Sequence, residues 1–166
     1  MSGTSGAEAP LDALENVVVK LLERSGLTVA AGESCTGGLL AKRLTDIPGA
    51  SKVFEGCIVA YSLQSKMTLL GLDLDLITQK GAVSREAALA MANGAREKFG
   101  ADIGIGITGI AGPDSDTSHL EPGTVFIALT TVDYSVCDSL KLSGGRDNVR
   151  TASASHALDM LRQYLS

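Results

Sequence analysis

Two hydrophobic rhythms alternate along the chain. Leu11, Leu14, Val17, Val18, Leu21 and Leu22 recur at helical spacing, and Gly26, after Arg24, predicts where that first helix stops. Leu27–Ala31 is a short apolar run without polar alternation, the pattern of a strand buried on both faces. The turn Gly32-Glu33-Ser34-Cys35-Thr36-Gly37-Gly38 leads into a second helix through Thr45, closed by Ile47-Pro48-Gly49. Val53–Tyr61, rich in β-formers, predicts a second buried strand with Gly56 as its weak point. Gln64–Leu70 and Leu74–Gln79 read as short helices. Ser84 reads as the N-cap of a helix to Phe99, with Ala88, Met91, Ala92, Ala95 and Phe99 on its inner stripe.

Further on, Ile103, Ile105 and Ile107 alternate with Gly104 and Gly106, which predicts a strand with one bare face. Either another element packs very close to that face or the backbone there approaches a ligand. Gly109–Gly123 is a long loop. Thr124–Val132 and Ser135–Leu142 predict two antiparallel strands joined at Asp133-Tyr134. Gly144-Gly145 breaks the pattern, and Val149, Ala152, Ser153, His156, Ala157, Met160, Leu161 and Tyr164 form a final amphipathic helix. This order predicts an α/β domain over 11–166, a three-layer α/β/α arrangement with a mostly parallel, mixed five-stranded sheet. Residues 1–10 are small, polar and unpatterned, and are expected to form a disordered tail.

In such sheets ligands bind beyond the carboxyl ends of the parallel strands. The first strand ends on Glu33, Ser34, Cys35 and Thr36. The second ends on Tyr61 and Ser62, with Lys66 one helical turn on. The third ends on Thr108 and Gly109, followed by Ala111-Gly112-Pro113. The fifth ends near Gly144, Gly145 and Arg146, with Arg150 one turn along the last helix. All four sets meet at one edge if the fifth strand runs parallel to the first three.

A serine hydroxyl needs a base to become nucleophilic, and a lysine serves as that base when burial or neighbouring positive charge lowers its pKa. Ser34, Lys66 and Tyr61 therefore form a serine–lysine hydrolytic set, the tyrosine relaying the proton or orienting the lysine. Each has a plainer reading beside it: Ser34 or Thr36 as a helix cap, Lys66 as an exposed helix lysine, Tyr61 as a buried ring with its hydroxyl at the surface. Thr108, Gly109 and Arg146 suit an anionic group such as a phosphate. Arg150 shares that candidacy, or pairs with Asp147 or Asp46. Cys35 has no histidine at a strand end to activate it. His156 lies on an apolar helix stripe and reads as a packed or interfacial residue.

Composition narrows the partners. Hydrophobic residues make up 45% of the 166 and tryptophan is absent, so the core is built from aliphatics and alanine. A net charge of −5 argues against a nucleic-acid binder. Cys35, Cys57 and Cys137 form neither a CxxC pair nor a metal-ligand spacing, which predicts reduced thiols, no metal and no cofactor. No run reaches the roughly 18 apolar residues of a membrane span, and the expected location is the cytoplasm.

Five segments in order, Gly32–Gly38, Tyr61-Ser62 with Lys66, Gly81-Ala82-Val83-Ser84, Thr108–Asp114 and Arg146-Asp147-Asn148-Val149-Arg150, resemble the CinA C-terminal domain family, which includes stand-alone nicotinamide mononucleotide deamidases. The resemblance runs from about Leu11 to Leu165. It implies an α/β/α fold and a metal-free serine amidase that converts nicotinamide mononucleotide to nicotinate mononucleotide and ammonia in pyridine-nucleotide salvage. It implies Ser34 as nucleophile, Lys66 as general base and Tyr61 as its partner in proton handling. Thr108 and Arg146 are then substrate contacts, and Thr36, Gly37 and Gly38 form an anion-facing helix start. It also implies a homodimer or larger homo-oligomer. Many members carry an additional N-terminal nucleotide-hydrolysing domain; with none in this chain, no second activity is expected. The chain departs from the family pattern at Leu63, where Asn is usual, at Gly145, where Asp is usual, and at Ser115–His119, where glycines are usual. These departures leave open another amide substrate, or a module that binds a nucleotide or a protein without cleaving.

Overall fold

The computed structural model describes residues 12–116 and 119–166; the expected tail at 1–10 lies outside the described residues. Its elements run α1 (Leu14–Ser25), β1 (Val29–Glu33), α2 (Leu39–Thr45), β2 (Phe54–Val59), α3 (Leu63–Leu70), α4 (Leu74–Lys80), α5 (Arg85–Phe99), β3 (Ile103–Gly109), β4 (Thr124–Thr130), β5 (Ser135–Lys141) and α6 (Gly145–Leu165). They form the expected α/β fold, with the five strands in the order β2-β1-β3-β4-β5. β1 pairs parallel with β2 and β3, while β4 pairs antiparallel with β3 and with β5. Two reversals return β5 to the direction of the first three strands, so all four polar strand ends share one edge.

Period-two alternation sorts the sheet's two faces. Val29, Ala31, Ile103, Ile105 and Ile107 join the larger core with Val18 and Leu22 of α1, Leu40 and Leu44 of α2, and Leu158 and Leu161 of α6. Ala30 faces the other way, onto Met91 and Ala95 of α5 and Leu70 of α3. The bare face of β3 lies under α5. A Cβ on Gly104 would stand 2.1 Å from the Ala92 carbonyl oxygen, and one on Gly106 equally close to that of Ala88. Of the two reasons for bare glycines there, close helix packing is the one the structure shows.

Two sequence expectations need correction. β2 is not a buried strand: it lies at the sheet edge, its residues are half-buried or exposed, and Val59 is 46% exposed. It has a neighbouring strand on one side only, and Gly56 leaves room for the Phe99 ring, which a Cβ would meet at 2.4 Å. The Gly144-Gly145 break is the start of α6, with Gly144 as its N-cap. That earlier start places Arg146 inside the helix, one turn before Arg150.

Candidate active site

The turn after β1 is short and fully specified by hydrogen bonds. The Ser34 amide continues the sheet by donating to Ile107, and the Gly37 amide closes the turn onto the Ser34 carbonyl. Neither Ser34 nor Thr36 caps α2; the N-cap is Gly38, in the left-handed region, with no side-chain cap. The cap instead comes from behind. The fully buried Glu33 accepts from the Leu40 and Ala41 amides at 3.1 and 3.0 Å and from the Cys57 thiol at 3.3 Å. A carboxylate there suits the positive end of the helix dipole. The expected anion-facing helix start at Thr36, Gly37 and Gly38 is therefore corrected. The chain's own carboxylate fills that end, and none of the three lines the cavity beside Ser34.

That cavity measures about 390 Å³, within the usual range for a small-molecule site. Ser34, Tyr61, Lys66, Thr108, Gly109 and Arg146 all line it. Ser62 starts α3 with a capping box closed by Ser65, which fixes the turn that carries Lys66 inward. Lys66 is only 4% exposed. Its Nζ lies 2.9 Å from Ser34 Oγ, 3.0 Å from the Ala60 carbonyl and 3.3 Å from the Tyr61 carbonyl. Burial lowers its pKa from the ordinary 10.5, and no carboxylate pairs with it among the described residues. The two carbonyls accept from Nζ, and the hydroxyl can accept from an ammonium or donate to a neutral amine. In the neutral state Ser34 donates its proton towards Nζ.

The Tyr61 side chain is placed elsewhere. Its hydroxyl accepts from Arg146 at 2.9 Å, and only its main-chain oxygen touches Lys66. Arg146 also donates to the Gly112 carbonyl at 2.7 Å, fixing the guanidinium at the cavity mouth. Thr108 is buried and donates to the Ala82 carbonyl at 2.8 Å, leaving its oxygen lone pairs to accept. Arg150 does not line the cavity; it donates to the Cys35 and Thr36 carbonyls beneath the turn. Burial raises the Cys35 thiol to about 11, so at neutral pH it is no thiolate nucleophile. His156 pairs with Asp138 on β5 at 2.7 Å, away from the cavity.

Ala82 and Val83 also line the cavity, a role their apolar side chains do not signal; Ser84 caps α5 and so turns the preceding peptides into the site. Asp114 and Asp116 line the mouth as well, and Leu63 adds an apolar group there.

The order of these parts along the chain decides the family. The CinA C-terminal domain profile matches residues 11–165. The chain belongs to the CinA C-terminal domain family. A CinA-like protein of Syntrophotalea carbinolica is 46% identical over 154 residues, covering 93% of this chain and 37% of that protein. A CinA-like protein of Myxococcus xanthus is 43% identical over 166 residues, covering 99% of this chain and 39% of that protein. The chain thus spans less than two fifths of these curated relatives. The crystal structure of the competence/damage inducible protein CihA from Agrobacterium tumefaciens matches with a TM-score of 0.86 and 34% identity over 99% of both chains. Among the described residues of this CinA-family chain, no helix is long and apolar enough to cross a membrane.

Proposed function

We propose that this CinA-family domain is a serine amidase acting on nicotinamide mononucleotide in the cytoplasm, releasing nicotinate mononucleotide and ammonia. The observation that carries the reading is the 2.9 Å contact between Ser34 Oγ and a buried Lys66 Nζ whose pKa burial lowers. In the first half-reaction Ser34 Oγ bonds to the carboxamide carbon as its proton passes to Nζ. The C–N bond then breaks, and the Lys66 ammonium returns that proton to the leaving amine, which departs as ammonia. Water next attacks the Ser34 ester with Lys66 as base, and Oγ leaves as the hydroxyl. The Cys35 amide follows the nucleophile, in a residue that lines the cavity, and bonds to no other residue among the described residues, so it is the donor for the oxyanion. Thr108 accepts from the carboxamide nitrogen, and Arg146, held by Tyr61, meets the phosphate.

The test is ammonia release from nicotinamide mononucleotide with Ser34→Ala as control. Activity in the wild type and a loss on the order of 10⁴-fold or more in the variant are expected; retained activity in the variant removes Ser34 as nucleophile. A second reading, an amidase for a different amide, is favoured by Leu63, Asp114 and Asp116 at the mouth where a phosphate would enter. Turnover confined to amides without a phosphate, across a panel of pyridine and pyrazine amides, would select it.

A further inference from the structure

Arg150 is a half-buried cation outside the cavity, and the mechanism above gives it no task. It nevertheless holds the centre of the nucleophile turn. Its Nε donates to the Cys35 carbonyl at 3.2 Å and its Nη2 to the Thr36 carbonyl at 3.1 Å. The guanidinium lies so close to the turn that a Cβ on Gly37, whose φ is +58°, would meet Nη2 at 3.2 Å.

Each contact sets an amide elsewhere. A trans peptide is planar, with its C=O and N–H pointing in opposite directions. Holding the Cys35 carbonyl therefore fixes the direction of the Thr36 N–H. Holding the Thr36 carbonyl fixes the Gly37 N–H, which donates to the Ser34 carbonyl at 2.9 Å. That bond in turn fixes the Ser34–Cys35 peptide and the direction of the Cys35 N–H. The Thr36 carbonyl also accepts from the Leu39 amide at 3.1 Å, so the fork and the start of α2 together hold the turn that aims the Cys35 N–H. The charge also polarises the Thr36 carbonyl, which strengthens the Gly37 N–H bond to the Ser34 carbonyl and, through that bond, the Cys35 N–H as a donor.

We infer that Arg150 is a positioning residue, which through the Cys35 and Thr36 carbonyls holds the nucleophile turn and so aims the Cys35 amide that receives the oxyanion formed at Ser34; this rests on the amidase reading above. Arg146 and Arg150, one turn apart on α6, then divide the task. The first meets the substrate's anionic end, and the second prepares the turn for the charge that develops in the transition state. A lysine cannot replace Arg150, because one ammonium cannot present two parallel donors to both carbonyls.

The experiment compares wild type, Arg150→Lys and Arg150→Met in two assays. The first is the second-order rate of labelling by an alkyl fluorophosphonate, located at Ser34 by mass spectrometry. In that reaction Oγ–P forms, fluoride leaves, and the phosphoryl oxygen needs the same donor. The second is ammonia release from nicotinamide mononucleotide, resolved into kcat and KM. Labelling and kcat should both fall ~10- to ~100-fold, while KM stays within about two-fold. The Lys variant should melt within about 4 °C of wild type. If Arg150→Met does not fold, the Lys variant carries the comparison. Labelling of Arg150→Lys at the wild-type rate, or a loss confined to KM, overturns the inference. A wild type that labels at Ser34 but releases no ammonia sinks the proposed substrate alone, and the labelling rates still decide Arg150. A wild type that takes no label at Ser34 overturns both.

Discussion

The two sides of the cavity are built differently. On the chemical side, Ser34, Lys66 and Glu33 are buried, and their polar atoms are bound to main chain or to one another. On the recognition side, Tyr61 is 60% exposed, Leu63 is 46% exposed, and Arg146, Asp114 and Asp116 sit at the surface. The difference is what the proposed amidase would need of each side. Lowering a lysine pKa requires exclusion of water, so the base must lie inside the sheet-edge packing. Meeting a soluble ligand requires reach and exposure, so those groups stand on helix starts and on the loop after β3. Among the described residues, Leu63, Gly145, Ser115 and Asp116, where the chain departs from the pattern the resemblance implies, are exposed.

The sharpest way to break this contrast is Lys66→Met. Activity should fall at least ~10³-fold, and a Ser34→Ala, Lys66→Met double variant should be no worse than the poorer single one, because the pair acts as a unit. The variant also tests burial. Between the lowered Lys66 pKa and 10.5 the unfolded chain binds a proton that the fold does not, so Lys66 makes stability rise with pH there. The three thiols act oppositely: burial raises each above its ordinary 9.0, so the fold holds protons that the unfolded chain releases above that pH. Urea unfolding of wild type and variant across pH cancels the contributions of Cys57 and Cys137, whose shifts owe nothing to Lys66. Wild type should gain stability relative to the variant as pH rises towards 10.5, and parallel curves would remove the buried-base argument.

Glu33→Gln probes the scaffold rather than the chemistry. The amide keeps one acceptor but turns an N–H₂ towards a backbone N–H of α2, which should cost about 2 kcal/mol of unfolding free energy. The kcat of folded protein should change far less than in the Lys66 variant. A collapse of kcat with normal stability would move Glu33 from scaffold to chemistry. The smallest effect belongs to Tyr61→Phe. Losing one exposed hydroxyl that holds Arg146 should raise KM roughly five-fold, about 1 kcal/mol, with kcat unchanged. A fall in kcat of ~10²-fold would restore the proton-handling role that the family resemblance implies for this tyrosine.

Much of this was legible along the chain because it depends on local order. Helical and strand periods, the Ser84 and Ser62 caps and the strand–turn–helix at Ser34 are set by neighbours a few residues apart. The polar strand ends place Ser34, Lys66, Thr108 and Arg146 at one sheet edge, and the family resemblance joins the same residues. The errors have one kind of cause. β2 looked buried because an apolar run does not say whether a second neighbour strand covers it. The α2 start looked open because nothing local says that Glu33 folds back across seven residues to reach it.

The sequence by itself determined the order of elements, the α/β class and the list of groups able to do the chemistry, since each follows from local propensity and pattern. Only the tertiary structure decided which of those groups meet. Through two antiparallel reversals it returned β5 to the Ser34 edge. It buried the lysine amine beside a serine 32 residues earlier in the chain, and it turned the Tyr61 hydroxyl towards Arg146. It also placed one arginine of α6 at the cavity mouth and the next beneath the nucleophile turn. Burial and hydrogen-bond partnership between distant residues are properties of the packed sheet, and the linear order does not encode them one residue at a time.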